Sequence, residues 1–186
     1  MCCWIQRRLE YKDMILVING HPGSGKTTIA TALAAEIQKK SSCLLIHTDI
    51  IKVVLRQLGV QGLEGLSCLS NAPQKAEVMA PFLRKQISKA QKDGYHVIIE
   101  GTLALGMNVS DFGYNIEIQV PSETRIFRQA QKPMSTQKSL SQSYSFDIYE
   151  KILIQYRPEN TRIIDGTMEL ETIVHLLAQL FDNQKR

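Results

Sequence analysis

Short apolar runs alternate with stretches of helical period along most of the chain. The first run, Met14-Ile15-Leu16-Val17-Ile18-Asn19, has buried-strand character, and after it Ile29, Leu33 and Ile37 recur every four residues, as on one helical face. Cys43-Leu44-Leu45-Ile46-His47 predicts a second strand, followed by a short helix with Ile51, Val54, Leu55 and Leu58 on one side. Residues 59–71 hold Gly59, Gly62 and Gly65 and read as a loop. Pro73 opens a helix carrying Met79, Leu83, Ile87 and Ala90, and Pro81 inside that pattern predicts a kink or two shorter helices. Asp93-Gly94 ends it, and Tyr95-His96-Val97-Ile98-Ile99-Glu100 is the third strand.

Beyond an irregular stretch at 101–113, Tyr114-Asn115-Ile116-Glu117-Ile118-Gln119-Val120 alternates apolar with polar residues, which predicts a strand nearer the sheet edge. Ser122 is positioned to cap a helix running to about Gln131. Residues from about 131 to 145 are rich in Ser, Gln and Lys with almost no large apolar side chain, the composition of a mobile lid that closes over ligand. Asp147 and Glu150 suggest a capping box for a helix through Tyr156. Thr161-Arg162-Ile163-Ile164-Asp165 is the last strand, and Leu170, Ile173, Val174, Leu177 and Phe181 mark the closing helix. Strands separated by helices predict an α/β fold of three layers: a central, mostly parallel five-stranded sheet with helices on both faces. Residues 14–186 form this one domain. Residues 1–13 are expected to be an extension ahead of it, or Met14 to be the true start.

Between the first strand and its helix lie Gly20-His21-Pro22-Gly23-Ser24-Gly25-Lys26-Thr27, the spacing G-x-x-x-x-G-K-[ST]. Glycines let backbone N–H groups curl around phosphate oxygens, and the helix that begins there adds the positive end of its dipole. In this arrangement Lys26 neutralises the β- and γ-phosphates, Thr27 offers a hydroxyl to Mg²⁺, and Thr28 continues the cradle into the helix. The context predicts binding of a nucleoside triphosphate, ATP with Mg²⁺.

In a parallel sheet, ligands gather at the carboxyl ends of the strands. Asp49 follows the second strand and Glu100 closes the third, so both carboxylates are expected in the crevice that holds the phosphates. Asp49 is the candidate for accepting the proton of a substrate hydroxyl, a role compatible with capping the helix that follows. Glu100 is the candidate for holding Mg²⁺ through a water or for fixing an acceptor hydroxyl. Arg125 and Arg128 lie three apart on the helix leading into the lid, and Arg128 is the favoured cation for transition-state charge, with Lys132 and Lys138 as weaker candidates. The histidines His21, His47, His96 and His175 show no metal-ligand spacing and read as packing residues. Asp165-Gly166-Thr167 is either a turn against the nucleotide base or a plain strand-to-helix turn capped by Thr167.

Composition narrows the classes. A chain of 186 residues, 44% hydrophobic and 22% charged, is one ordinary globular domain. Its formal net charge of +4 suits anionic small-molecule substrates and is too slight to argue for nucleic acid. Cys2, Cys3, Cys43 and Cys68 make no C-x-x-C pair, so reduced thiols and a cytoplasmic location are expected rather than zinc or disulfides. No stretch has the length of a membrane span, and Arg7, Arg8, Glu10, Lys12 and Asp13 stand where a signal peptide is apolar.

The run Asn19 to Thr28 resembles the phosphate loop of P-loop small-molecule and nucleotide kinases, and Gly94-Tyr95-His96-Val97-Ile98-Ile99-Glu100-Gly101-Thr102 is similar to the zeta-toxin and chloramphenicol-phosphotransferase-like branch. The resemblance implies a P-loop NTPase fold and transfer of the γ-phosphoryl group of ATP to a hydroxyl, which in zeta toxins belongs to the sugar of a UDP-N-acetylhexosamine. The branch's D-x-D element falls on His47-Thr48-Asp49, which implies Asp49 as the catalytic carboxylate with His47 in place of the earlier aspartate. Its E-G-T element falls on Glu100-Gly101-Thr102 and implies contact with substrate through Glu100 and Thr102. Zeta toxins carry an arginine two residues past that threonine, where this chain has Ala104, and the lid is poor in arginine. The expected activity is therefore a kinase acting on a small acceptor. A sugar-nucleotide kinase, an enzyme acting on polynucleotide ends and a non-catalytic nucleotide-binding regulator are the competing readings.

Overall fold

The structure, a computed structural model, describes residues 14–64, 71–105, 107, 109, 113–131 and 143–182, with side chains in the last span from residue 148 onward. The expected extension 1–13, the middle of the 59–71 loop, Lys132, Lys138 and nearly all of the expected lid lie outside these residues, as do Cys2, Cys3 and Cys68.

Five strands, β1 (Ile15–Gly20), β2 (Cys43–His47), β3 (His96–Glu100), β4 (Gly113–Gln119) and β5 (Thr161–Asp165), form one sheet in the order β2-β3-β1-β4-β5. Every pairing is parallel. The described helices are α1 (Lys26–Gln38), α2 (Thr48–Gln57), α3 (Ala72–Lys92), α4 (Ser122–Ala130), α5 (Ser143–Gln155) and α6 (Leu170–Asp182), and a 3₁₀ turn spans Thr102–Ala104. The expected three-layer α/β fold is what forms.

Period-two alternation sends successive side chains of the central strands to opposite faces, and both faces are covered. On one side Leu16, Ile18, Ile98, Ile116 and Ile118 pack against Ile29 and Leu33 of α1 and Ile173 and Leu177 of α6. On the other, Ile15, Val17, Val97 and Ile99 pack against Leu55 of α2, Met79 and Leu83 of α3 and Leu153 of α5. Each fully buried side chain of this size contributes about 1.5–3 kcal/mol. β1 is therefore held in the middle of the sheet from both sides, and the loop at its carboxyl end starts from a fixed point.

Several local expectations are corrected. α3 is one continuous helix through Pro81, so of the two expectations the pair of shorter helices is not what forms. Proline removes one intrahelical bond, but Pro81 and Glu77 both sit on the exposed side, where the freed Glu77 carbonyl is not sealed from solvent. β4 lies beside the edge strand β5, nearer the sheet edge than β1 as expected, yet it is paired on both sides. Its polar Glu117 is buried because Arg157, at the end of α5, grips it with two hydrogen bonds of 2.8 Å, and Gln119 adds a third of 2.7 Å. Strand alternation here reflects an internal ion pair, which the sequence pattern cannot distinguish from a solvated face. Ser122 is the first residue of α4 rather than its cap. α5 begins at Ser143, so Asp147 falls inside the helix and is no N-cap.

Candidate active site

The loop from Gly20 to Gly25 joins the buried end of β1 to α1. Gly23 sits at its apex under α4: a side-chain carbon there would lie 2.9 Å from the Arg125 carbonyl oxygen, so the close approach of α4 requires glycine. Gly25, at φ 90°, turns the chain into α1, which begins with no side-chain cap and no acidic residue in its first turn. No residue of α1 itself compensates the positive end of its dipole. Lys26 is 7% exposed, and its Nζ donates to the His21 carbonyl at 2.7 Å, which folds the ammonium back over the loop.

Glu100 ends β3, 5% exposed. Its Oε2 accepts from the Thr27 hydroxyl at 3.2 Å, and its Oε1 lies 2.8 Å from Nδ1 of His47, its register partner on β2. Asp49 stands in the first turn of α2, whose cap position is His47, so the expected capping role for Asp49 is corrected. Its carboxylate is exposed and lies 3.3 Å from Lys52 Nζ. Gly101, at φ 125°, approaches Thr48 so closely that a side-chain carbon would meet its hydroxyl at 2.2 Å. That contact draws the start of α2 against the start of the 3₁₀ turn bearing Thr102.

A cavity of about 460 Å³ unites these parts, with Lys26, Thr27, Asp49, Glu100, Thr102 and Arg128 among its walls. Pro22, Gly23, Gly25 and Thr28 also face it. Gly20 and Ser24 are not part of the wall: Gly20 is wedged against the Ile118 carbonyl and Ser24 is fully buried. His21 faces a second cavity with Arg125 and Arg157, and its ring meets the buried ring of Tyr149 edge-on at 5.3 Å. The two arginines of α4 therefore part company. Arg128 reaches the phosphate-loop cavity, where both its terminal nitrogens donate to the Gly166 carbonyl at 3.1 Å. Arg125 sits behind the loop.

Ala104, where the resemblance leads one to expect arginine, is fully buried in the core, and its carbonyl accepts from Asn19 at 3.3 Å. The 3₁₀ turn points this position inward, where no long cation has room. Asp165 accepts both the backbone N–H and the hydroxyl of Thr167, at 2.8 and 2.7 Å, closing a turn before α6 begins at Leu170. Thr167 is therefore not the cap of α6. A larger cavity, about 670 Å³, runs along α3 and has no glycine in its wall.

The site fits a nucleotide phosphate with Mg²⁺. A threonine hydroxyl beside a glutamate carboxylate is a pair of hard oxygen donors, the kind Mg²⁺ prefers. Among the described residues no three His, Cys, Asp or Glu side chains converge as a metal site. A Mg²⁺ ion held by this pair would take the rest of its shell from phosphate and water.

His47 is the functional candidate that reading the residues in order missed. Its chain position suggested packing; the neighbour that matters, Glu100, is 53 residues away. The replaced aspartate of the D-x-D element was the available signal.

Burial, with the positive charges of Arg125 and Lys26, lowers the His21 pKa to about 3 from 6.5. The folded state holds this ring neutral while the unfolded chain binds a proton below pH 6.5. Stability is therefore complete above that value and falls as pH drops from 6.5 towards 3. Urea unfolding midpoints are expected to decline less between pH 7.5 and 4.5 in His21→Asn than in the wild type. Equal declines contradict the assignment.

A glycine loop after the central strand, a hydroxyl–carboxylate pair beside it and a five-stranded parallel sheet define a P-loop kinase fold. More narrowly, the chain belongs to the zeta toxin family, whose family model matches residues 5–118. Among solved structures it is similar to a gluconokinase from Sinorhizobium meliloti 1021, with 14% identity, 93% of this chain and 94% of that one covered, and a TM-score of 0.60. A sugar kinase from Janibacter sp. HTCC2649 is similar at 17% identity, with 91% and 94% covered and a TM-score of 0.57. Identities this low speak to the fold alone. None of the curated protein sequences matches. No helix among the described residues is long and apolar enough to cross a membrane.

Proposed function

We propose that this chain is an ATP- and Mg²⁺-dependent kinase that transfers the γ-phosphoryl group to a hydroxyl of a small acceptor, with residues 14–186 as the kinase domain. The observation that carries the reading is the single cavity joining Lys26 and Thr27 to Asp49 and Glu100. The loop amides and the start of α1 bind the phosphates. Lys26 exchanges the neutral His21 carbonyl for phosphate oxygen, a stronger charge-assisted bond. Thr27 and Glu100 would hold the metal, which supplies neutralisation of charge between the β- and γ-phosphates. Asp49, exposed at the cavity wall, accepts the proton of the attacking hydroxyl, and Thr102 orients the acceptor. Arg128 leaves the Gly166 carbonyl for the phosphoryl group by the same exchange that draws Lys26.

The acceptor belongs among sugars and their derivatives on two supports. The family is that of the zeta toxins, and its fold is one that a gluconokinase and a sugar kinase also use. The buried Ala104 removes one cation expected of a sugar-nucleotide site, which favours a simpler acceptor over a UDP-linked one. A buried free Cys43 and the need for ATP suit a cytoplasmic protein.

The test is ADP release in the presence of sugar acids, sugars, sugar nucleotides, nucleosides and phenicol or aminoglycoside antibiotics, with oligonucleotide ends as a separate arm. Acceptor-dependent release with a small hydroxyl compound supports the reading. Release only with oligonucleotides assigns a polynucleotide-end kinase, and ATP binding without release assigns a regulator.

A further inference from the structure

We propose that His47 is a positioning residue of this site: it fixes the Glu100 carboxylate so that one oxygen is kept for Thr27 and the metal. The inference rests on the reading above that Glu100 serves Mg²⁺.

The backbone sets the pair. His47 and Glu100 are register partners at the carboxyl ends of adjacent parallel strands. His47 is also the residue at which β2 passes into α2, so its main chain is anchored on both sides. Its Nδ1 lies 2.8 Å from Oε1 of Glu100, while Oε2 faces the Thr27 hydroxyl at 3.2 Å. The two oxygens are thus divided between two partners. An ionised carboxylate only accepts, so Nδ1 is the donor in this bond.

Glutamate is among the side chains that lose most rotamer freedom when ordered. At 5% exposure, Glu100 also has little water to replace a lost donor. Without Nδ1–H, Oε1 is left nearly buried and unpaired, and the carboxylate rotates towards whatever donor remains, Thr27 first. Oε2, which already accepts from the Thr27 hydroxyl, then no longer holds the fixed direction in which it would meet a metal. An aspartate at residue 47 would set two carboxylates side by side, whereas histidine attracts Glu100. This chain therefore holds its glutamate by a donor. Partners that orient metal-binding groups in this way commonly cost 10–100-fold in metal affinity when removed.

Isothermal calorimetry of ATP binding to the full chain, across a Mg²⁺ series and in EDTA, provides the test, with kcat read at the same Mg²⁺ concentrations. His47→Phe keeps a ring and removes the donor. His47→Asn keeps a donor near the Nδ1 place and removes the ring, and His47→Ala serves as a second donor-free variant should the phenylalanine disturb folding. In the donor-free variants the Mg²⁺ concentration for half-maximal ATP binding is expected to rise about tenfold. ATP affinity in EDTA stays within about twofold, and His47→Asn lies close to wild type. A purely structural role predicts instead that asparagine is impaired as much as phenylalanine or alanine, or that affinity in EDTA falls in step; either result overturns the proposal. Unchanged Mg²⁺ dependence in the donor-free variants overturns it too while leaving the kinase reading intact. Absence of any Mg²⁺-dependent ATP binding in the wild type removes both.

Discussion

Lys26→Ala is expected to reduce phosphoryl transfer by about 10³-fold or more. The step is dominated by positioning and charge stabilisation, and a single preorganised donor is commonly worth 10²–10³-fold. Lys26 is the cation of the loop itself, and its Nζ already lies 2.7 Å from the His21 carbonyl, within the loop that is to wrap the phosphates. Its aliphatic stem is buried at the start of α1, so the alanine also loses packing. Lys26→Met separates the two effects, because it restores the stem without the charge. Both variants are expected to be equally inactive, with the methionine closer to wild type in its urea midpoint. Turnover near normal in Lys26→Met rejects the assignment of the loop.

The second large effect concerns Asp49. Asp49→Asn is nearly isosteric and removes the proton acceptor, so kcat is expected to fall about 10²–10⁴-fold, the range for loss of a general base. ATP affinity is expected to change little, because the phosphate grip lies with the loop and α1. The exposed carboxylate, paired only loosely with Lys52 at 3.3 Å, leaves the fold unaffected by the change. Steady-state kinetics combined with equilibrium ATP binding separates the outcomes. If ATP affinity collapses while kcat survives, Asp49 serves the nucleotide or metal and the chemistry must be assigned elsewhere.

Where chemistry and geometry are local, the chain could be read directly. The strand, glycine loop and helix around Gly20–Thr27 are contiguous, and the apolar periods on either side are strong, so that βα unit formed as expected. Asp49 and Glu100 were legible because a parallel sheet delivers strand-end residues to one edge, whatever their separation in sequence. The meeting of His47 with Glu100 was not legible, since it depends on the register between β2 and β3. The burial of Glu117 was hidden for the same reason: its partner Arg157 is 40 residues away, two residues past the end of α5. Arg125 and Arg128 share a helical face by spacing, yet α4 leans on Gly23 so that only Arg128 enters the phosphate-loop cavity. Pro81 shows the limit of a local rule. A proline inside a helix costs less where the orphaned carbonyl faces solvent, as on the exposed side of α3. The inward turn of Ala104 likewise follows from core packing around the 3₁₀ turn, which no spacing announces.

Calorimetric titration of the purified chain with ATP in the presence of Mg²⁺ addresses the nucleotide grip itself. A saturable one-to-one heat that disappears in Lys26→Met is the predicted result. A wild-type protein that gives no heat, or a lysine variant that binds as tightly as wild type, would contradict it.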